Sequence, residues 1–235
     1  MLTVLSWLWN QPEGRTKFTA KHVHIWADMV SRNLRMKHRL ACVTTEKDLP
    51  SNVERIDPPG DFEGIEPNWG PRKPNCYRRL SMFRRDAAKI FGKRFVCMDL
   101  DCVIGDHLDP LFDRPEDLIL YNGTAPDRPY NGSMMLITAG CRPKVFEDFN
   151  AAGAKISGEK FVGSDQAWLA HKLGRGERVW SEKDRVFFYG PLYRGLAKKL
   201  KPRILFFPGK IKPWTIAPIH IDPFTTANYL VREAA

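Results

Sequence analysis

The stretch Phe95-Val96-Cys97-Met98-Asp99-Leu100-Asp101-Cys102-Val103-Ile104 decides how this chain is read. Four apolar residues lead into two carboxylates, and an apolar run resumes behind them. The pattern predicts a core strand from Arg94 to Asp101. Side chains alternate along a strand, so Asp99 and Asp101 are expected on one side and Leu100 on the other. Neighbouring carboxylates repel, and burying them unpaired is costly. A divalent cation removes both penalties, and oxygen ligands of this kind suit Mg2+ or Mn2+. The plain alternative is a solvated strand end, with each acid satisfied by backbone or Arg. In open α/β sheets, ligands bind at the carboxyl ends of strands, where this pair would lie.

Outward from that strand, the chain reads as alternating strands and helices. Residues 2–9 are an apolar run and predict a buried strand. Val23, Trp26, Val30 and Leu34 recur at three- and four-residue steps and predict a helix over residues 20–36. Leu40 to Thr44 is a second strand. This βαβ opening predicts an α/β fold, with a mostly parallel central sheet and helices on both faces. Residues 57–75 are rich in Pro and Gly and predict a long loop of the kind that often carries function. Asn75 is placed to cap a helix with Leu80, Phe83, Ala87 and Ile90 on its apolar face, ended by Gly92. Further strands are expected at Leu118 to Tyr121, Ser133 to Thr138 and Arg203 to Phe207. Helices are expected at Pro143 to Asn150 and from Ser164 to Leu173, the latter closed by Gly174. The Pro-rich tail from about residue 208 is expected to be irregular. Residues 1–235 are read as one domain.

Composition narrows the function classes. The 235 residues are 43% hydrophobic and 27% charged, ordinary for a globular protein with its own core. No apolar stretch is long enough to span a bilayer. The apolar N-terminus lacks a basic leader and a small-residue cleavage site, so a cytoplasmic location is the default expectation. The five cysteines are scattered, without a Cys-x-x-Cys pair, and read as thiols rather than as disulfides or a zinc site. The net charge of +10 favours phosphate-bearing partners: a nucleotide, nucleic acid, or an anionic membrane surface met peripherally. No recognised nucleic-acid motif accompanies that charge. An apolar strand ending in Asp-x-Asp also opens phosphatases of haloacid-dehalogenase type, where the first Asp is the nucleophile. There the motif lies near the N-terminus and runs into Gly-Thr, whereas here Cys102-Val103 follows. A non-catalytic nucleotide-sugar or nucleic-acid binding protein is the other alternative.

Five short motifs in a shared order mark a resemblance. They are Tyr77-Arg78-Arg79-Leu80; Asp99-Leu100-Asp101; Tyr130-Asn131-Gly132-Ser133; Gly163-Ser164-Asp165-Gln166; and Gly209-Lys210-Ile211-Lys212-Pro213-Trp214. In that order the chain resembles the retaining glycosyltransferases of family 8, from the first strand to about Trp214. The resemblance implies a single Rossmann-like domain of GT-A type and transfer of a hexose from a nucleotide sugar, with UDP-hexose the first guess. It implies a saccharide or lipid-linked saccharide acceptor and Mn2+ or Mg2+ as cofactor. Arg79 would reach the donor, Asp99 and Asp101 would hold the metal, and Asn131 would contact the transferred sugar or acceptor. Asp165 would bind sugar hydroxyls, Gln166 would lie near the anomeric carbon, and Gly209 and Lys212 would close over the diphosphate. The base would lie near Asn10 and Thr44-Thr45-Glu46. Two departures stand out. Gly132 follows Asn131 directly, where the family has Asn-x-Gly. Phe206 occupies the position of the family's metal-binding His, which leaves His220 in the tail as the candidate replacement.

Overall fold

A computed structural model describes the whole chain except residues 12, 13, 15, 69, 71–74, 197, 198 and 230–235. The expected loop residues 71–74 therefore lie outside the described residues, as does Lys198.

The first strand, β1 (Leu2–Trp7), is buried along its whole length, as its mostly apolar sequence suits a central strand. Helix α1 (Ala20–Asn33) follows, with Val23, Trp26, Met29 and Val30 inward, and returns the chain to β2 (His38–Val43). A short β3 (Val53–Ile56) comes next. The single helix expected after Asn75 is two pieces: a 3-10 helix Tyr77–Phe83 and α2 (Ala88–Phe91). The break falls at Arg84, whose ψ of 148° is extended and whose guanidinium turns to Asp61 and Asp86. Gly92, at φ 93°, ends α2 as expected.

Then come β4 (Arg94–Met98), β5 (Cys102–Ile104) and α3 (Asp109–Phe112). Strands β6 (Leu118–Ala125) and β7 (Arg128–Thr138) form an antiparallel hairpin. Helices α4 (Lys144–Glu147), α5 (Ala151–Lys160) and α6 (Asp165–Leu173) follow. The rest comprises β8 (Arg178–Trp180), β9 (Val186–Phe188), α7 (Pro191–Leu196) and β10 (Ile204–Phe206). Two short helices, α8 (Pro213–Ile216) and α9 (Pro223–Asn228), occupy the tail that was expected to be irregular. Each carries Pro in its first turn, where the missing N–H costs nothing.

The main sheet has the order β3-β2-β1-β4-β7-β6-β8 among the described residues. Pairing is parallel except at β4–β7 and β7–β6, so the sheet is mostly parallel as expected. A smaller sheet, β5-β10-β9, stands beside it. Alternation along β1 feeds two cores. Leu2 and Val4 pack with Trp26 and Met29 of α1, while Leu5 and Trp7 pack with Tyr77, Phe83 and Trp168 on the other side. Helices thus cover both faces.

One correction decides where the site lies. The strand expected to run through Asp101 ends at Met98. Asp99-Leu100-Asp101 is the link by which the chain leaves the main sheet for the small one. The two acids are therefore set by a bend at a sheet edge, not by strand alternation. Leu100 is buried and anchors the bend from below. The backbone N–H of Asp99 donates to the Ser133 carbonyl at 2.9 Å, and the Phe207 N–H donates to the Asp101 carbonyl at 2.9 Å.

Candidate active site

A cavity of about 510 Å3 opens where β1 and β4 end. Its lining includes Arg79, Asp99, Asp101, Asn131, Asp165, Gln166, Gly209 and Lys212, drawn from segments far apart in the chain. The parallel strands deliver Trp7 and Met98 to the same edge, as expected for an open α/β sheet.

Arg79 sits at the centre. The 3-10 helix presents it inward, and its side chain is only 6% exposed. Its Nη1 donates to Asp99 Oδ1 at 2.7 Å, and its Nε donates to Asp165 Oδ2 at 2.9 Å. Burial works against the guanidinium charge, but Asp165 and Asp99 outweigh it and hold Arg79 protonated well above the ordinary arginine value. Asp165 opens α6, and its Oδ1 accepts from the Gln166 N–H at 2.9 Å. Burial pushes the Asp165 carboxyl up, against the opposing pull of Arg79. Ser164 does not cap its own helix; its hydroxyl accepts from the Cys76 N–H at 3.0 Å and so ties α6 to the 3-10 helix.

Asp101 carries the second ion pair, with Lys212. The Lys212 ammonium also donates to the Phe207 carbonyl at 2.9 Å. Burial raises the Asp101 carboxyl, Lys212 lowers it, and the neighbouring Asp99 raises it again. Asn131 and Gln166 are oriented by local bonds. Asn131 Oδ1 accepts from the Ser133 N–H at 2.8 Å, and Gln166 Nε2 donates to the Val162 carbonyl at 2.9 Å. Asn131-Gly132 lies inside β7 rather than in a turn before it.

The glycine after Asn131 has a steric reason. A Cβ on Gly132 would stand 2.5 Å from Arg79 Nη2 and 3.1 Å from Asp165 Oδ2. Gly132→Ala is therefore expected to push the guanidinium off its two carboxylates. Stability should fall by about 1–3 kcal/mol, the usual range for overpacking, and donor affinity should fall with it. Denaturant melts and nucleotide titration would check this; unchanged values in both would mean that the crowding at Gly132 is relieved without cost.

Thr44 and His220 lie elsewhere, and Asn10, Thr45 and Glu46 do not line the cavity either. Thr44 is buried beyond the end of β2, where its hydroxyl accepts from the Glu46 N–H at 3.0 Å, and it does not line the cavity. His220 is exposed, at φ 55°, and does not line it either. Phe206, which replaces the family His, is buried in β10 with its ring 5.3 Å from that of Tyr121. No group of three or more His, Cys, Asp or Glu residues placed to hold a metal occurs among the described residues.

Other lining residues went unread in the sequence. Trp7, Leu8, Trp9, Gln11 and Phe18 build one wall. Trp9 meets Trp7 edge-on with centroids 6.0 Å apart, and the Arg78 guanidinium lies 5.2 Å from the Trp9 ring centre. Two tryptophans at the end of a first strand were the available signal. Arg128 also lines the cavity, with a buried Nε that has no hydrogen-bond partner among the described residues.

Comparison with protein-family models finds no match, and comparison with curated proteins finds none either. Solved structures do match. The galactosyltransferase LgtC, solved with donor and acceptor sugar analogs, superposes with a TM-score of 0.58 at 17% identity, over 99% of this chain and 98% of that one. The glycosyltransferase GlyE of Streptococcus pneumoniae gives 0.57 at 12% identity, over 90% of this chain and 56% of that one. The bifunctional glycosyltransferase WbbM gives 0.51 at 13% identity, over 96% and 50%. At these identities the likeness is one of fold, and by that fold the chain is a GT-A-type α/β protein resembling the family 8 glycosyltransferases.

Proposed function

We propose that the protein is a metal-dependent glycosyltransferase. It would move a hexose from a nucleotide sugar, UDP-hexose first, to a saccharide or lipid-linked saccharide acceptor, with retention of configuration. The observation that carries this reading is the convergence of Arg79, Asp99, Asp101, Asp165 and Lys212 on one cavity at the carboxyl edge of a GT-A sheet.

The donor set fits a hard divalent cation. Asp99 and Asp101 would serve as adjacent oxygen ligands in place of their ion pairs with Arg79 and Lys212, and the Asp99 side chain is 31% exposed. With Phe206 in the core, the protein supplies an incomplete set, which Mn2+ and Mg2+ tolerate because they keep waters and take phosphate oxygens. Held there, the cation would supply Lewis-acid charge to the departing diphosphate.

The chain's own groups do the rest. Lys212, steadied by the Phe207 carbonyl, faces the cavity and would meet the charge that develops on the leaving phosphate. Both Asp165 oxygens are engaged, one by Arg79 and one by the Gln166 N–H, so Asp165 is suited to holding sugar hydroxyls rather than to attack. The acceptor oxygen would then bond to the anomeric carbon on the face that the diphosphate leaves, and the hydroxyl proton would pass to a departing phosphate oxygen. Asn131 and Gln166, fixed by their backbone partners, would orient sugar and acceptor. The Trp7–Trp9 wall would take the nucleotide base in place of Thr44.

The test is donor turnover. Incubated with Mn2+ and a panel of nucleotide sugars, the protein is expected to release nucleoside diphosphate slowly, faster once the correct saccharide is added, and not at all with a chelator. Inorganic phosphate released from generic phosphoesters would instead support the phosphatase reading. Tight nucleotide-sugar binding without turnover on any acceptor would support the binding-protein reading.

A further inference from the structure

Among the described residues, three cationic and three acidic side chains line the cavity. Arg79 takes Asp99 and Asp165, and Lys212 takes Asp101. Arg128 is left over. Its Nε is buried without a partner, and its terminal nitrogens make no hydrogen bond or ion pair among the described residues. Every other half-buried arginine among them donates to an acid or a carbonyl, as Arg78 does to Glu63 and Arg142 to Glu177. A guanidinium drawn halfway out of water without an acceptor is costly, and a group left so in a cavity wall points to a partner that the chain itself does not supply.

The placement of Arg128 says what kind of partner. It opens β7 at the tip of the hairpin, where it pairs with Ala125 of β6. Further along the same strand, the Ser133 carbonyl accepts from the Asp99 N–H, so the residues before Ser133 run past the end of β4 and over the cavity. Asn131 stands just past that level, and Arg128 stands further out, beside the exposed Ala125, Pro126 and Asp127. The tip is pinned. The Val162 N–H donates to the Asp127 carbonyl at 2.9 Å, and the Val162 carbonyl accepts from Gln166 Nε2 at 2.9 Å. Arg128 is thus built onto the same frame as Gln166, but nearer the mouth. The Arg79–Asp165 pair lies deeper, with side chains 6% and 4% exposed.

We propose that Arg128 holds an acidic group, a carboxylate or a phosphate monoester, on the acceptor saccharide. A planar guanidinium meets either oxyanion with paired N–H donors. The diphosphate of a donor is provided for by Lys212 and Gly209, which reach the cavity from the tail beside Asp101. The donor hexose belongs against the buried Asp165. The mouth is left to the molecule that enters last, which is the acceptor. A neutral acceptor would leave the guanidinium as unpaired as before, so the site would select by charge. That the bound saccharide is an acceptor rests on the transferase reading; the oxyanion site does not.

Two measurements on the full chain separate those claims. The first is binding without donor, followed by NMR. The probes are methyl glucuronide and methyl galacturonide against the matching neutral methyl hexosides, and glucose 6-phosphate against glucose. The second is kcat/KM for the same compounds as acceptors, with Mn2+ and whichever nucleotide sugar the protein turns over. The acidic member of at least one kind of pair should be favoured by about tenfold or more in both, the scale of a charge-assisted bond. Which kind it is, uronide or phosphate, identifies the oxyanion. Arg128→Gln should abolish that preference, and Arg128→Lys, which keeps the charge but loses the fork, should restore part of it. Equal binding and turnover of acidic and neutral sugars would overturn the proposal, as would a preference that Arg128→Gln leaves intact. So would a loss of uridine diphosphate affinity in Arg128→Gln as large as the loss with acidic sugars, since that places the guanidinium on the diphosphate. Acid-selective binding without nucleoside diphosphate release from any donor would sink the transferase reading and uphold the oxyanion site; release without any preference for acid would sink the proposal alone.

Discussion

Arg79→Met is expected to cost the protein about 3–5 kcal/mol of stability at neutral pH, the usual penalty for removing one partner of a buried ion pair. The penalty belongs chiefly to Asp165, whose side chain is 4% exposed, rather than to Asp99, which water already reaches. In the native protein burial raises the Asp165 carboxyl and Arg79 opposes it. Without Arg79 the raising influences, burial and the nearby Asp99, are opposed only by the Gln166 N–H. A carboxyl raised in the folded state contributes stability that is present below its unfolded value of about 3.9 and lost as pH rises through the folded value. The deficit of the variant should therefore be largest at neutral pH and shrink on acidification. Adding Asp165→Asn to Arg79→Met should recover much of the loss, because the stranded charge goes with it. Denaturant melts at several pH values would decide the matter. A deficit under about 1 kcal/mol, or one that the second substitution leaves unchanged, would mean that Asp165 is solvated in the folded state.

What could be read in advance was what repeats along the chain. The βαβ opening, the apolar face of α1 and the strand before Asp99 all carry periodicity or mostly apolar runs, and they appear with boundaries shifted by a few residues. What could not be read was short or set by tertiary contact. Strand β3 has four residues, with only its two ends buried, too few to show a period. Strand β5 was not foreseen, because nothing local marks the change of sheet; its partner, β10, lies about a hundred residues on. The N-terminal half of β7 was hidden by Asn131-Gly132, a pair that by itself suggests a turn. Of the site, the charged residues were found through their order in the chain, since chemistry of this kind needs particular side chains. Its aromatic wall was missed because Trp7 and Trp9 read equally well as core. Thr44 was placed by analogy at the end of β2, yet it is turned back toward Glu46.

The second large effect is expected at Asp101→Asn: transferase turnover should fall by roughly 100- to 1000-fold, the scale of losing one charge-stabilising group at a reacting centre. The fold should survive. The bend that carries Asp101 is pinned through its backbone by the Phe207 N–H and through Leu100 in the core, and neither depends on the carboxylate. Lys212 also keeps its bond to the Phe207 carbonyl, so the ammonium is not set loose in the cavity. The buried Lys212 ammonium still loses its carboxylate partner, so the melt is expected to fall, and turnover is compared under conditions where the variant is fully folded. Calorimetry separates the two roles open to Asp101. If it is a metal ligand, native protein should bind Mn2+ weakly alone and much more tightly with uridine diphosphate, because Phe206 leaves coordination places for phosphate, and the variant should lose that enhancement. If it serves only to aim Lys212, the enhancement should persist in Asp101→Asn. In that case Lys212→Ala should lower diphosphate affinity by about ten- to a hundredfold, as expected for a charge-assisted bond, and should match the variant in every other respect. Tight Mn2+ binding by the native protein without nucleotide would mean a fuller protein ligand set, with a third ligand that no His, Cys, Asp or Glu cluster among the described residues supplies.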